Sequence, residues 1–257
     1  MSGSDGEWIE VNGEQQTHST SSVKKIHITY VLDMSGSMWQ TLDGTIEGFN
    51  SFIKQQKEDP NGECFLTLIL FDDEYQVVYK DKKIQDVENL TSETFVPRGQ
   101  TALLDAIGKT INSVPHIDSQ TNNIIIVIHT DGHENSSKEY TWETISEIIS
   151  KKKDENWEFI FLGANQDAIE TAAKINIDRG SALTYSNTPQ HSSNSMHSVS
   201  NSISRRRSGQ DRRINFSPME RTSSIQHSSS NPTEQPNRIE SNTPGTPMRR
   251  TPSRVLR

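Results

Sequence analysis

Five consecutive β-branched residues, Ile124-Ile125-Ile126-Val127-Ile128, constrain the fold more than any other feature of this sequence. A strand points its side chains alternately to two faces, so an uninterrupted apolar run must be covered on both. The run is far too short for a bilayer, which needs about 20 residues of helix. It therefore predicts the interior of a parallel sheet with helices packed above and below.

The flanking sequence supplies the remaining layers. Lys25 to Leu32 and Cys64 to Phe71 are apolar enough for buried strands. Tyr75 to Tyr79 predicts a short strand that pairs with the second of these across the polar break Asp72-Asp73-Glu74. Trp157 to Leu162 and Ala182 to Tyr185 predict two more strands, the latter at an edge. Between them, Ile46, Phe49, Phe52 and Ile53 recur at helical spacing. Thr101 opens a helix that Pro115 stops, and two more helices are predicted over Tyr140 to Lys153 and Asn165 to Ile175. Asp81 to Gln100 reads as irregular. The alternation predicts an α/β fold: a Rossmann-like, doubly wound, mostly parallel sheet with one antiparallel hairpin and helices on both faces.

Composition sets the expected boundaries. Only 30% of the 257 residues are hydrophobic, and they are unevenly spread. From Ser186 to Arg257 there are eleven apolar residues in 72 positions, too few to offset chain ordering. We therefore expect a flexible leader over 1–23, a globular domain over 24–185 and a disordered Ser/Thr/Pro/Arg-rich tail over 186–257. In the leader, Trp8, Ile9 and Val11 are either a small docking motif or isolated apolar residues in a loose arm. Charge divides at the same place. The last 72 residues hold 11 Arg and 4 acids, a net of +7, leaving −15 on the first 185. An acidic body of that size repels phosphate, which argues against nucleic acid as its partner and suits a bound cation. The single cysteine, Cys64, excludes an internal disulfide and predicts a reducing, intracellular and cytoplasmic setting. No apolar run follows a basic N-terminus, so no secretory signal is expected.

Sheets of this kind bind ligands beyond the carboxyl ends of their strands. There the sequence places Asp33-Met34-Ser35-Gly36-Ser37, then Thr101 at a helix start, then Asp131-Gly132 directly after the five-residue apolar strand. Asp33, Ser35, Ser37, Thr101 and Asp131 are all hard oxygen donors, which suit Mg²⁺, with Mn²⁺ as a substitute. The pattern resembles the von Willebrand factor type A domains that carry a metal-ion-dependent adhesion site. Their signature is Asp-x-Ser-x-Ser, a distant Thr and a distant Asp. The resemblance spans roughly Lys24 to Tyr185 and implies the same α/β fold. It also implies that Ser35 and Ser37 ligate a metal directly, that Thr101 does so in the ligand-competent state, and that Asp33 and Asp131 act largely through water. Hydroxyl and water ligands leave the metal's charge unspent, so a Glu or Asp carboxylate of a protein partner would complete the shell.

Each residue also has a plainer reading. Asp33, Ser35 and Thr101 are candidate helix N-caps, and Asp131-Gly132 a candidate turn. His129, His133 and Glu134 lie beside Asp131, where a zinc site or a rim is conceivable, and Glu134, Asn135 and Ser136 are candidates for rim specificity. Asp72-Asp73-Glu74 is a second-cation candidate or a solvated turn. Phosphate-loop, dinucleotide and nucleophile-elbow motifs are missing, which favours a non-catalytic binding module. The alternatives are a metal-dependent phosphatase or hydrolase, and a subunit of a chelatase or ATPase-type complex. The tail offers Arg205-Arg206-Arg207-Ser208 and Arg249-Arg250-Thr251-Pro252 to basic-directed kinases. Thr188, Ser217, Thr243, Thr246 and Thr251 precede proline and suit proline-directed kinases. The basic clusters also allow a nuclear localisation signal, or an opposite-charge contact with the body.

Overall fold

The structure is a computed structural model and describes residues 25–115, 122–164 and 168–225. Six strands form one sheet: β1 (Lys25–Asp33), β2 (Glu63–Phe71), β3 (Tyr75–Lys83), β4 (Asn122–Thr130), β5 (Glu158–Ala164) and β6 (Ala182–Tyr185). Their order is β3-β2-β1-β4-β5-β6, parallel except for the β2–β3 hairpin. Strand β1 is central because both faces and both edges of its apolar sequence find partners. After β1 the chain moves to β2 on one side, then returns to β4 on the other. The switch point therefore lies between the carboxyl ends of β1 and β4, at Asp33 and Thr130.

Helices α1 (Leu42–Glu58), α2 (Leu103–Ser113), α3 (Trp142–Asp154) and α4 (Ala168–Lys174) follow the predicted periodicities. Two cores result. On one face Tyr30, Leu32, Ile125 and Val127 meet Phe49, Phe52 and Ile53 of α1. On the other, Ile124, Ile126 and Ile128 meet Leu103 and Ile107 of α2, Ile145 and Ile149 of α3 and Ala168 and Ala172 of α4. The five-residue run of β4 thus feeds both cores alternately, and each of its side chains contributes about 1.5–3 kcal/mol of burial. Strand β3 runs four residues past the predicted Tyr79, and the irregular segment after it tucks Leu90 and Phe95 under α1.

The expectation of disorder from Ser186 onward is wrong for the described part of that segment. Residues 189–207 form a 19-residue helix, α5 (Pro189–Arg207), and a short α6 (Pro218–Ser223) follows. Met196, Val199 and Ile203 of α5 are fully buried against α1 and the sheet, and Ile214 and Phe216 join the same core. Composition misled because seven serines of α5 were counted as polar. Ser195, Ser198 and Ser202 return their hydroxyls to carbonyls one turn back, and so need no water. Their small volume also lets two helices approach closely. Gly44 and Gly48 of α1 face α5, and a Cβ on Gly48 would lie 2.9 Å from the Ser193 Cα. Thr45 meets the Ser192 hydroxyl at 3.0 Å, and Gln56 Nε2 donates to Ser200 Oγ at 2.9 Å.

Charge holds the same segment down. Arg206 pairs with Glu158, and the buried Arg207 faces Asp59 at 3.6 Å. The opposite-charge contact expected between tail and body is therefore realised by two arginines inside the fold. Thr188 and Ser217 are helix N-caps, accepting from the His191 and Glu220 backbone N–H groups. The leader motif and the Thr243, Thr246 and Thr251 sites lie outside the described residues, as do Asn165 and Arg249-Arg250. No helix among the described residues is long and apolar enough to cross a membrane.

Candidate metal centre

Strand β1 delivers Asp33 to the switch point and the next residues stay pinned. The Met34 N–H donates to Phe71 O at 2.6 Å, and Met34 O accepts from the Arg98 N–H at 2.7 Å. Asp33 is fully buried. Its Oδ1 accepts from the Ser35 N–H at 2.6 Å and its Oδ2 from Thr130 Oγ1 at 2.5 Å. Burial pushes the Asp33 carboxyl up to about 7, and the nearby Asp131 charge adds to the rise against the pull of those donors. Asp131 follows β4. Its Oδ1 accepts from Ser37 Oγ at 2.5 Å, while Oδ2 is buried and has no partner among the described residues. Burial raises the Asp131 carboxyl as well.

The hydroxyls converge at Gly132. Ser35 Oγ and Ser37 Oγ are 3.2 Å apart. A Cβ placed on Gly132 would sit 2.8 Å from Thr101 Oγ1, 3.4 Å from Ser37 Oγ and 3.6 Å from Ser35 Oγ. The five predicted residues, 98 positions apart at the extremes, are thus brought to one spot. The helix-cap readings fail. Ser35 precedes a 3-10 turn (Gly36–Thr41) without a capping side-chain bond, and the residue before α2 is Ala102 rather than Thr101.

Neighbouring candidates act as supports. Asn135 Oδ1 accepts from the Thr101 N–H at 2.9 Å, and the Asn135 N–H donates to Thr101 O at 3.1 Å, so Asn135 fixes Thr101 from both sides. Glu134 accepts from the Leu104, Ser136 and Ser137 N–H groups and from Ser137 Oγ, tying the loop to the start of α2. Asp72 is no solvated turn: it is buried, accepts from the Glu74 N–H and pairs with Arg98 at 2.8 Å. The Asp73 carboxylate accepts from the Gln100 N–H at 3.2 Å. Together they position the 97–101 loop that presents Thr101. His129 does not reach the rim. It is buried between Tyr30 and Tyr185, and burial lowers it to about 3, so it is neutral. Asn135, a candidate for rim specificity, instead supports Thr101, and Thr130, directly before Asp131 at the end of β4, has no site role assigned from the sequence.

This donor set fits a hard divalent cation. Three uncharged hydroxyls surround one glycine, one carboxylate oxygen is orphaned, and two desolvated carboxylates need a compensating charge. Among the described residues, no group of three or more His, Cys, Asp and Glu side chains could hold a metal, so a soft-ligand zinc cluster is not what this geometry offers.

Solved structures share the architecture. The vWF domain of the type V pili tip protein Mfa5 from Porphyromonas gingivalis aligns over 70% of this chain and 95% of its own, with a TM-score of 0.52 and 11% identity. The fold is that of a von Willebrand factor type A domain. Proximal thread matrix protein 1 from the mussel byssus, solved with a zinc-occupied MIDAS motif, aligns at TM-score 0.53 and 16% identity over 71% of this chain and 46% of that one. The pilus adhesin SpaC from Lactobacillus rhamnosus GG, in its open conformation, aligns at TM-score 0.59 and 15% identity over 72% and 30%. This chain therefore spans under half the length of the byssus protein and under a third of the adhesin. No family model and no curated protein matches the sequence.

Proposed function

We propose that this von Willebrand factor type A domain is a cation-dependent protein-binding module without catalysis of its own. Ser35, Ser37 and Thr101 would hold the ion through their hydroxyls, with Asp33 and Asp131 balancing its charge. Mg²⁺ suits the oxygen set best, and Mn²⁺ would substitute. When bound, the ion supplies an electrophilic centre that a partner's Glu or Asp carboxylate can join. The convergence of three hydroxyls and the unpartnered Asp131 oxygen around Gly132 carries this reading. Trp39, 56% exposed and two residues past Ser37, offers an apolar contact beside the ion of the kind that anchors interfaces. The adhesive and matrix proteins that share the fold support a binding role. Against a phosphotransferase with Asp33 as its nucleophile stands the burial of that carboxylate and its engagement by Ser35 and Thr130. A single cysteine, with no internal disulfide possible, is in keeping with a reducing compartment.

Isothermal titration with Mg²⁺ and Mn²⁺ tests the site. Asp33→Ala should abolish binding with the fold intact. Thr101→Ala should retain part of the affinity, because Asp33, Ser35 and Ser37 remain. Wild-type metal affinity in Asp33→Ala would refute the assignment. A pull-down with and without EDTA then reads the partner directly.

A further inference from the structure

A second feature lies at the opposite end of the strands, where β5 begins. Strands β4 and β5 are parallel, so Glu158 and Thr130 sit at opposite ends of their ladder. A cavity of about 90 Å³ opens there between the end of α3, the start of β5 and the 209–216 loop. Four cations line it: Lys153, Arg206, Arg212 and Arg213. Two anions line it as well, and each is already used. Lys153 Nζ reaches Asp178 Oδ1 at 3.0 Å, and Arg206 pairs with Glu158. Neither Arg212 nor Arg213 has a side-chain hydrogen bond or ion pair among the described residues. Two positive charges are therefore left over, on a body whose first 185 residues carry −15.

Those two guanidiniums are not on a loose arm. The loop is pinned on both sides of them. The Asp211 N–H donates to Arg205 O at 3.1 Å, and the Ile214 N–H donates to Glu158 Oε2 at 2.8 Å. Ser181 Oγ holds Ile214 O at 2.8 Å, and the Phe216 N–H reaches Gly180 O at 2.9 Å. Ile214 and Phe216 are buried beneath. Arg212 and Arg213 line the cavity from this anchored backbone, both exposed to solvent, and guanidinium forks suit a planar or tetrahedral oxyanion. The surplus matches a phosphomonoester, which carries about −1.5 to −2 at pH 7, better than a single carboxylate.

We propose that this basic pocket binds a phosphomonoester dianion through Arg212 and Arg213. The proposal is independent of the metal centre. A phosphorylated Thr-Pro segment and free phosphate share this chemistry, and the sequence itself offers Thr243-Pro244 and Thr246-Pro247 as sources.

Isothermal titration on the full, unphosphorylated chain separates them. The probes are inorganic phosphate, glutamate, and a peptide of residues 240–248 with and without a phosphate on Thr246. Phosphate and the phosphopeptide should bind saturably, and glutamate and the bare peptide should bind much more weakly. Tighter binding of the phosphopeptide than of phosphate assigns the ligand to a phosphorylated segment, and equal binding assigns it to the free anion. Each of Arg212→Gln and Arg213→Gln should lower the affinity about tenfold, the usual loss for one charge-assisted bond. Lys54→Gln, on the distant α1, should leave it unchanged. Because neither arginine has a structural partner, the double variant should keep the wild-type thermal midpoint. The proposal fails if neither probe binds, if glutamate equals phosphate, if the double variant binds like wild type, or if it melts markedly earlier.

Discussion

Arg207 is the sharpest test of whether α5 belongs to the folded domain. It is the last residue of α5 and is buried, and its guanidinium closes the end of α1. Nη1 donates to Gln56 O at 3.1 Å and Gln56 Oε1 at 2.8 Å. Nη2 donates to Asp59 O at 3.2 Å and Gly62 O at 3.1 Å, and Nε to Asn61 O at 3.2 Å. Four backbone carbonyls at the end of α1 and its following turn thus depend on one side chain, with the buried Asp59 carboxylate 3.6 Å away. Arg207→Met would keep most of the stem's packing, strand those acceptors and leave Asp59 without its counter-charge. Removing one partner of a buried pair costs about 3–5 kcal/mol. For a domain of this size that lowers the melting temperature by roughly 6–20 °C. Arg207→Lys should recover roughly half of the loss, since an ammonium keeps the charge but cannot span five acceptors. Thermal unfolding by circular dichroism, with urea titration for the slope, measures both. A Met variant within about 0.5 kcal/mol of wild type, the scatter expected of a surface change, would show that α5 is not docked as described.

The remaining predictions concern the same helix pair and the supports of the site. A chain ending at Tyr185 should fail to fold cooperatively, because it exposes the α1 face and forgoes roughly 5–9 kcal/mol of gross burial by Met196, Val199 and Ile203; a single sharp melt of that fragment would disprove it. Gly48→Ala should destabilise by about 1–3 kcal/mol despite its better helix propensity, since the new methyl meets α5 backbone; an unchanged urea midpoint would count against the close crossing. Gly132→Ala should remove metal binding in titration calorimetry and keep the melting temperature of the metal-free protein, because its Cβ enters the space between the three hydroxyls. Burial alone would raise Asp105, but the Lys138, Glu139 and Tyr140 N–H donors outweigh it and hold the carboxyl below its ordinary range. Its stabilising contribution is therefore present above the unfolded value of about 3.9 and is lost as pH falls through the lower folded value. The stability gap between wild type and Asp105→Asn should close over that acid range and stay constant above it.

The sheet, its hairpin and four of the six helices were legible because their apolar spacing is local and strong. Ile124 to Ile128 states its own two-sided burial, and Asp33, Ser35, Ser37, Thr101 and Asp131 all fall at strand or loop ends where such sheets gather ligands. Helix α5 was not legible. Its apolar residues Met196, Val199 and Ile203 do recur at three and four, yet they sit among serines, and average composition cannot tell a solvated serine from one that closes on its own helix. The decisive partner, the Gly44 and Gly48 pair on α1, lies some 150 residues earlier, and nothing in either segment alone announces the other. The supports of Thr101 were hidden for a similar reason. Asn135 and Glu134 act through bonds to backbone N–H groups 34 and 30 residues away, which a loop sequence does not encode.

The carboxylates withdrawn from solvent at this end of the sheet distinguish scaffold from site. Asp72 accepts from one backbone N–H and from Arg98. Asp105 has three backbone donors, and Glu134 has three plus a hydroxyl. The buried Asp72 and Asp105 and the part-buried Glu134 are each satisfied from within the protein, as desolvated charges must be. Asp131 is the exception, with one serine donor and an orphaned oxygen, and its charge acts on Asp33, whose carboxyl is pushed up to about 7. A fold that supplies donors so fully to its neighbours has the means to satisfy Asp131 as well. It instead places hydroxyls and a bare glycine there. On the proposed reading, a divalent cation at this point would supply the positive charge that these carboxylates lack.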